Sequence, residues 1–224
     1  RDLDQHLASR HEMIRLLAKL PDPGLILGEG DETQGDPEPV DLARARYTGW
    51  INQILADQRD IIQVLFLASD GQMRFWLERD ARTQEWRPTA AQPQAPNREF
   101  LAAGLGLEPG AVMVSRIRVD PSAGAADPRR LITLSLVSRI GGEPGKAGGV
   151  VVLTIDVGGL AQFYRDTVWV NHDGSYLRPG QPTGGAPKAF VDFPGLEDIF
   201  RQGNLALWKG PQGRQLLWVP MFLT

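Results

Sequence analysis

The chain has 224 residues, 42% of them hydrophobic and 23% charged, so it can build an ordinary core in one large or two small domains and bury roughly 70% of its unfolded surface. A net charge of -3 with no block of Lys and Arg argues against a nucleic-acid partner held through its phosphates. The absence of cysteine removes disulfides, thiolate metal sites and cysteine nucleophiles together.

Taken in order, Leu3, Leu7, Ile14 and Leu17 recur on one helical face, with Met13, Leu16 and Leu20 widening the stripe and Pro21 ending it. An amphipathic N-terminal helix is expected. From Pro21 to Pro39 the composition turns to Gly, Pro, Asp and Glu, which predicts a solvent-facing loop whose charges are solvated. Asp41 is placed to cap a second helix that carries Ala43, Tyr47, Trp50, Ile51 and Ile54 on one side.

From Ile61 the pattern changes. IIQVLFLAS, the turn DGQ and MRFWLERD predict a hairpin, because Asp-Gly supplies the positive φ of a tight turn. After a polar, Pro-rich loop from Asp80 to Asn97 and a helical insert from Arg98 to Leu107 come AVMVSRIRVD, LITLSLVSRI and GGVVVLTID. Their β-branched content predicts three further strands, about five in one antiparallel sheet. Asp120 to Arg129 reads as a loop and Val157 to Tyr164 as a short helix. The strand-turn pattern then restarts with TVWVN, HDG and SYLRPG, followed by a helix in FPGLEDIFRQG closed by Gly203 and a hairpin around Gly210-Pro-Gln-Gly213. A second, smaller sheet is expected there.

Catalytic signatures fail on inspection. GGEPGKAGG has Ile140 and Ala147 where a phosphate loop needs Gly and Ser or Thr, and His11-Glu12 is followed by Arg15 where a zincin helix needs its second His. His172 sits in a turn whose Asn171 and Asp173 are explained by turn chemistry. No catalytic residue, metal ligand or cofactor is expected, and the chain reads as a non-enzyme.

The polar residues of the sheet are the candidate ligand site. Arg116 and Arg118 alternate along one run and Thr133 and Ser135 along the next, so each pair shares a face. Two guanidiniums on one face can clamp a carboxylate, or the face is simply wet, as one-sided antiparallel sheets often are. Arg74 and Trp76 share a face of the second strand. Asp156 ends the last strand, where a ligand amine or the cap of the following helix accounts for it equally.

The strings IIQVLFLASDGQMRFWLERD, NREFLAAGLGLEPGAVMVSRI, GEPGKAGGVVVLTIDVGGL and VWVNHDGSYLRPG, in that order, resemble a double Cache domain, the tandem PAS-like sensor module of bacterial transmembrane receptors. The resemblance implies an α+β fold, with a long N-terminal helix followed by two PAS-like antiparallel-sheet modules of which the membrane-distal one is larger. The corresponding division is a helical stalk and connecting loop (1–58), a distal module (59–164) and a proximal module (165–224). It also implies a periplasmic location between flanking membrane spans, a homodimer through the N-terminal helix, and a cytoplasmic histidine kinase, diguanylate cyclase or chemoreceptor output. No run of 18 apolar residues occurs and the chain starts at Arg1, so those spans are expected outside this stretch.

In amino-acid-binding relatives an Arg, a Trp and a Tyr cluster near the second strand and an Asp ends the fifth. Asp156 fits, whereas Arg74-Phe75-Trp76 matches in part and MRFWLERD has no Tyr. The expected ligand is a small anionic molecule, an organic acid or amino-acid-like compound, bound through Arg74, Trp76, Arg116, Arg118, Thr133, Ser135 and Asp156. The alternative is a dimerising relay module that answers a protein partner without a small ligand.

Overall fold

The computed structural model describes residues 2–20, 22–28, 38–89, 96, 98–115, 117–141, 148–159, 170, 173–176, 188–203, 206–213 and 215–218. The chain divides into two compact units, residues 1–115 with 135–155, and residues 116–134 with 156–224.

The first unit opens with α1 (Asp2–Ala18), α2 (Pro23–Leu27) and α3 (Glu38–Ile54). α1 stops before Pro21, as expected. α2 corrects the expectation of an unbroken loop after Pro21: the Asp22 side chain accepts from Leu25 N, Pro23 starts the turn, and Ile26 and Leu27 are buried. Pro tolerates the first helical position because the N–H it lacks would be unpaired there. α3 begins three residues before Asp41, so Asp41 lies in its first turn rather than capping it.

The sheet consists of β1 (Ile61–Ala68), β2 (Met73–Arg79), β3 (Trp86–Pro88), β4 (Val112–Val114), β6 (Ile132–Ile140) and β7 (Gly149–Asp156), in the order β3-β2-β1-β7-β6-β4. The short strand β5 (Arg118–Val119) pairs with the start of β6. β1 pairs antiparallel with β2 and β7, β2 with β3, and β6 with β4. The β1–β2 turn is the predicted one: Gly71 has φ +85° and Asp70 accepts from Gln72 N at 2.9 Å.

β3 was not expected, because its residues lie in the polar stretch after Asp80. Tertiary partners hold it. The Asn52 side chain accepts from Trp86 N at 2.8 Å and donates to Trp86 O at 3.0 Å. Arg79, 1% exposed, lies with its guanidinium 5.0 Å from the Trp86 ring centroid and donates to Leu55 O and Ala56 O just past the end of α3. A cation at a helix C-terminus opposes the partial negative charge of the last carbonyls.

Alternation gives this sheet two faces. One face carries Ile62, Val64, Phe66, Phe75 and Leu77, all buried, and meets α3 through Tyr47, whose ring centroid is 5.1 Å from that of Phe66. Tyr47 in turn donates to Leu17 O of α1 at 3.0 Å. The opposite face carries Leu65, Leu67, Val137, Val150 and Val152, packed against Trp76, Phe100, Leu101, Leu105 and Leu107. Phe100, Leu101 and Leu105 belong to α4 (Arg98–Leu105), the expected helical insert.

α1 is fixed to the start of β1 by a buried fork. Arg10 Nε donates to Asp60 Oδ2 at 2.7 Å and Nη2 to Oδ1 at 2.5 Å, with both side chains 6% exposed.

In the second unit, β5 and the start of β6 are joined by α5 (Pro121–Ala126) and a short 3-10 turn, Pro128–Arg130. Asp120 accepts from Ala123 N and Asp127 from Arg129 N, so a capped helix stands where a loop was expected. Further on come α6 (Lys188–Asp192), α7 (Leu196–Gln202) and the expected hairpin β8 (Ala206–Lys209) and β9 (Gln215–Trp218). Gly203 closes α7 at φ +65°, as predicted. The core here is Ala189, Phe193, Leu196 and Trp208, with Trp208 Nε1 donating to Pro194 O at 2.9 Å. Of the expected TVWVN–SYLRPG strand pair, the described residues show a single bridge, Val170 to Tyr176.

Candidate functional site

The α4-side face of the first unit's sheet changes character along its strands. Trp76, Leu65, Val152 and Val137 are its last apolar residues; two positions further on stand Glu78 on β2, Gln63 on β1, Thr154 on β7 and Ser135 on β6. Register places Gln63 opposite both Glu78 and Thr154, so side chains from adjacent strands meet. Thr154 Oγ1 donates to Gln63 Oε1 at 3.3 Å, and Gln63 Nε2 donates to Glu78 Oε1 at 3.1 Å. Ser135 continues this polar row beside Ser115, which follows β4. Ser115 N donates to Ser135 O and the Ser115 hydroxyl accepts from Ser135 N, both at 2.8 Å.

Gln63 is 4% exposed in a strand whose other residues are all apolar and buried. A buried amide is costly unless its donors and acceptor are paired, and here the hydroxyl on one side fixes which end faces the carboxylate on the other. Glu78, Thr154 and Ser135 are half-buried. The row offers a carboxylate and hydroxyls of fixed position beside an apolar floor headed by Trp76. That composition suits a molecule with one hydrogen-bonding end and one apolar part.

The expected site residues have separate fates. Ser135 belongs to the row and Trp76 to its apolar border. Arg74 departs from simple alternation: β1 and β2 pair Phe66 with Phe75 and Leu67 with Met73, which makes Arg74 the extra residue of a bulge. Its Nη2 donates to Asp70 Oδ2 at 3.3 Å. Arg74 and Trp76 together line a cleft at the sheet edge.

The remaining three described candidates belong to the second unit. Arg118 is half-exposed, pairs with Asp120 at 3.3 Å, and stands opposite Thr133 in register. The uninterrupted strand expected to align Arg116 with Arg118 is broken between Val114 and Arg118, and Arg116 lies outside the described residues. The break follows from Ser115, whose hydroxyl takes the backbone N–H of Ser135 in place of a ladder carbonyl. Asp156 Oδ1 accepts from Gly159 N at 2.8 Å, the capping role of its two sequence readings.

Gln63, Glu78 and Thr154 were missed from sequence. Gln63 was the available signal, as the lone polar residue of IIQVLFLA, but its partners emerge only with the register. Among the described residues no group of three or more His, Cys, Asp or Glu side chains is placed to hold a metal, and no helix is long and apolar enough to cross a membrane.

No protein-family model matches the chain, and no curated protein matches it by sequence. Solved structures match by fold. The extracellular domain of the putative histidine kinase vpHK1S-Z8 aligns at TM-score 0.60 and 15% identity, covering 92% of this chain and 78% of its own. A sensory box/GGDEF family protein domain from Vibrio parahaemolyticus aligns at TM-score 0.60 and 14% identity, over 92% and 82% of the two chains. The ligand-binding domain of a Campylobacter jejuni chemoreceptor, solved with 4-methylisoleucine, aligns at 0.53 and 14%, over 96% and 78%. The chain therefore has the α+β fold of receptor sensor domains, with an N-terminal helix and an antiparallel sheet, consistent with a Cache domain.

Proposed function

We propose that this chain is the non-enzymatic, extracytoplasmic sensing part of a bacterial membrane receptor, and that a small molecule binds on the α4-side face of the first unit's sheet. The observation that carries the reading is the row of Glu78, Gln63, Thr154 and Ser135, hydrogen-bonded at the border of an otherwise apolar face. Leu65, Val152 and Val137 are covered by α4-side residues, and the polar row borders them. An amino-acid-like molecule fits, its amine toward Glu78 and its apolar part toward Trp76. The fold neighbours support this: one is a chemoreceptor domain solved with 4-methylisoleucine.

The same reading makes the chain periplasmic, with spans on its flanks and a kinase, cyclase or chemoreceptor output across the membrane. The second unit supplies most of the smaller, membrane-proximal PAS-like module. α1 is the dimer helix, and Leu16, 43% exposed on α1, is available for that contact.

The test is a thermal-shift and calorimetric screen of amino acids and organic acids. A ligand at 100 times its Kd adds about 2.7 kcal/mol to stability, and Gln63→Leu abolishes that gain. Absence of any stabilising compound across the screen, or an undiminished response in Gln63→Leu, refutes the site.

A further inference from the structure

The apolar part of the α4-side face is roofed by α4, and one glycine decides how low that roof sits. Leu101, Gly104 and Leu105 fall on one side of the helix. Leu101 and Leu105 pack on the apolar cluster of the sheet, and Gly104 is buried beside them.

Gly104 has a helical backbone, so it makes no conformational demand that Ala would not meet, and Ala is the better helix former. What Ala lacks at this position is room. A Cβ at Gly104 would stand 2.7 Å from Val137 Cγ1 and 3.4 Å from Val150 Cγ1, inside the roughly 3.5–4.0 Å at which carbon atoms pack. Val137 is 1% exposed and β-branched, so its χ1 is stiff and its methyl does not swing aside within the core. The helix is the part that gives way. A second close contact lies at the β1–β2 turn, where a Cβ at Gly71 would stand 2.8 Å from Leu101 Cδ2. At two places, therefore, α4 meets the sheet with a glycine on one side of the contact.

This seat adjoins the polar row. One alternation along β6 from Val137, roughly 6–7 Å away, stands Ser135, and two alternations along β7 from Val150 stands Thr154. The height of α4 over Val137 sets the clearance at the border between the apolar floor and the row.

From this arrangement we infer that Gly104 is a positioning residue for ligand specificity: by seating α4 directly on Val137, it limits the size of the apolar group that a ligand held on the polar row can carry. The inference rests on the reading of that row as the ligand site. A methyl at position 104 raises α4 and admits a larger group. Trimming Val137 beneath it lets the helix settle again.

The experiment compares the parent chain, Gly104→Ala and the double variant Gly104→Ala/Val137→Ala. Calorimetry measures the affinity of each for L-alanine, L-valine, L-leucine and L-phenylalanine, and amide hydrogen exchange over α4 is followed without ligand. In Gly104→Ala the affinity for phenylalanine relative to alanine is expected to rise at least tenfold. Its α4 amides should also exchange faster, whereas helix propensity alone would slow them. The double variant should bring the affinity ratio back to within threefold of the parent. The inference is overturned, with the row left standing, if Gly104→Ala keeps the parent order of affinities, if its α4 amides exchange no faster, or if the double variant retains the altered order. If none of the four amino acids binds any of the three proteins, the reading of the row falls and this inference falls with it.

Discussion

On the α3 side of the first unit's sheet, the alternating residues of β1 and β2 are Ile62, Val64, Phe66, Ala68, Phe75 and Leu77, and then Arg79, whose charge is directed at the end of α3. On the α4 side, the same two strands present Leu67, Leu65 and Trp76 and then change to Gln63 and Glu78. Both faces bury a polar group near the same end of β2. On one side that group closes a helix, and on the other it joins side chains of neighbouring strands. Burial alone therefore does not separate structural polarity from functional polarity: Arg79 is paired with backbone carbonyls, and Gln63 with side chains of neighbouring strands.

That contrast can be broken first from the α3 side. Arg10→Ala leaves Asp60 buried without its fork, and removing one member of a buried pair costs about 3–5 kcal/mol. Phe66→Ala, which empties the space between Tyr47 and Phe75, is expected to cost a similar amount, about 3–5 kcal/mol. Urea unfolding measures both. If either variant loses less than about 1 kcal/mol, the α3 side is not the stabilising face.

The row should respond differently. Gln63→Leu keeps the side-chain volume and removes two hydrogen bonds, so a loss of about 1–2 kcal/mol is expected, together with the loss of ligand response. A loss as large as that of Phe66→Ala would make the row structural and dissolve the contrast.

The smallest effect is a titration on α1. His11 has its pKa lowered by burial and by Arg15, against Glu12. The folded state thus favours the neutral ring, and the unfolded chain binds more protons in the window just below pH 6.5. The stability tied to the neutral ring is present above pH 6.5 and declines as pH falls through it. His11→Gln should flatten that part of the pH dependence between pH 7 and 5, as read by urea midpoints. An unchanged slope would show that His11 gains and loses its proton equally in both states.

The legible parts of the sequence were those with local causes. Asp70-Gly71 fixed the hairpin through one positive φ, Gly203 closed α7 in the same way, and the stripe through Ile14 and Leu17 marked α1. The missed parts have distant causes. β3 depends on Asn52 and Arg79, 34 and 7 positions away from Trp86. The strand expected through Val114 and Arg118 is interrupted at Ser115, whose hydroxyl takes the backbone N–H of Ser135, 20 positions on. α5 was readable in principle, since Asp120-Pro121 is a cap followed by a tolerated proline, but its Ala, Gly and Ser residues resemble a loop. The polar row required register, which a strand pattern does not contain.

Asn52 has one more effect. By giving Trp86 both an acceptor and a donor, a helix side chain occupies the position a neighbouring strand would take. A bare sheet margin invites another polypeptide to add itself, a hazard for any protein concentrated on a surface. At Trp86 this rim is already sealed from within, so copies of the domain can crowd together without being drawn into strand exchange at that point.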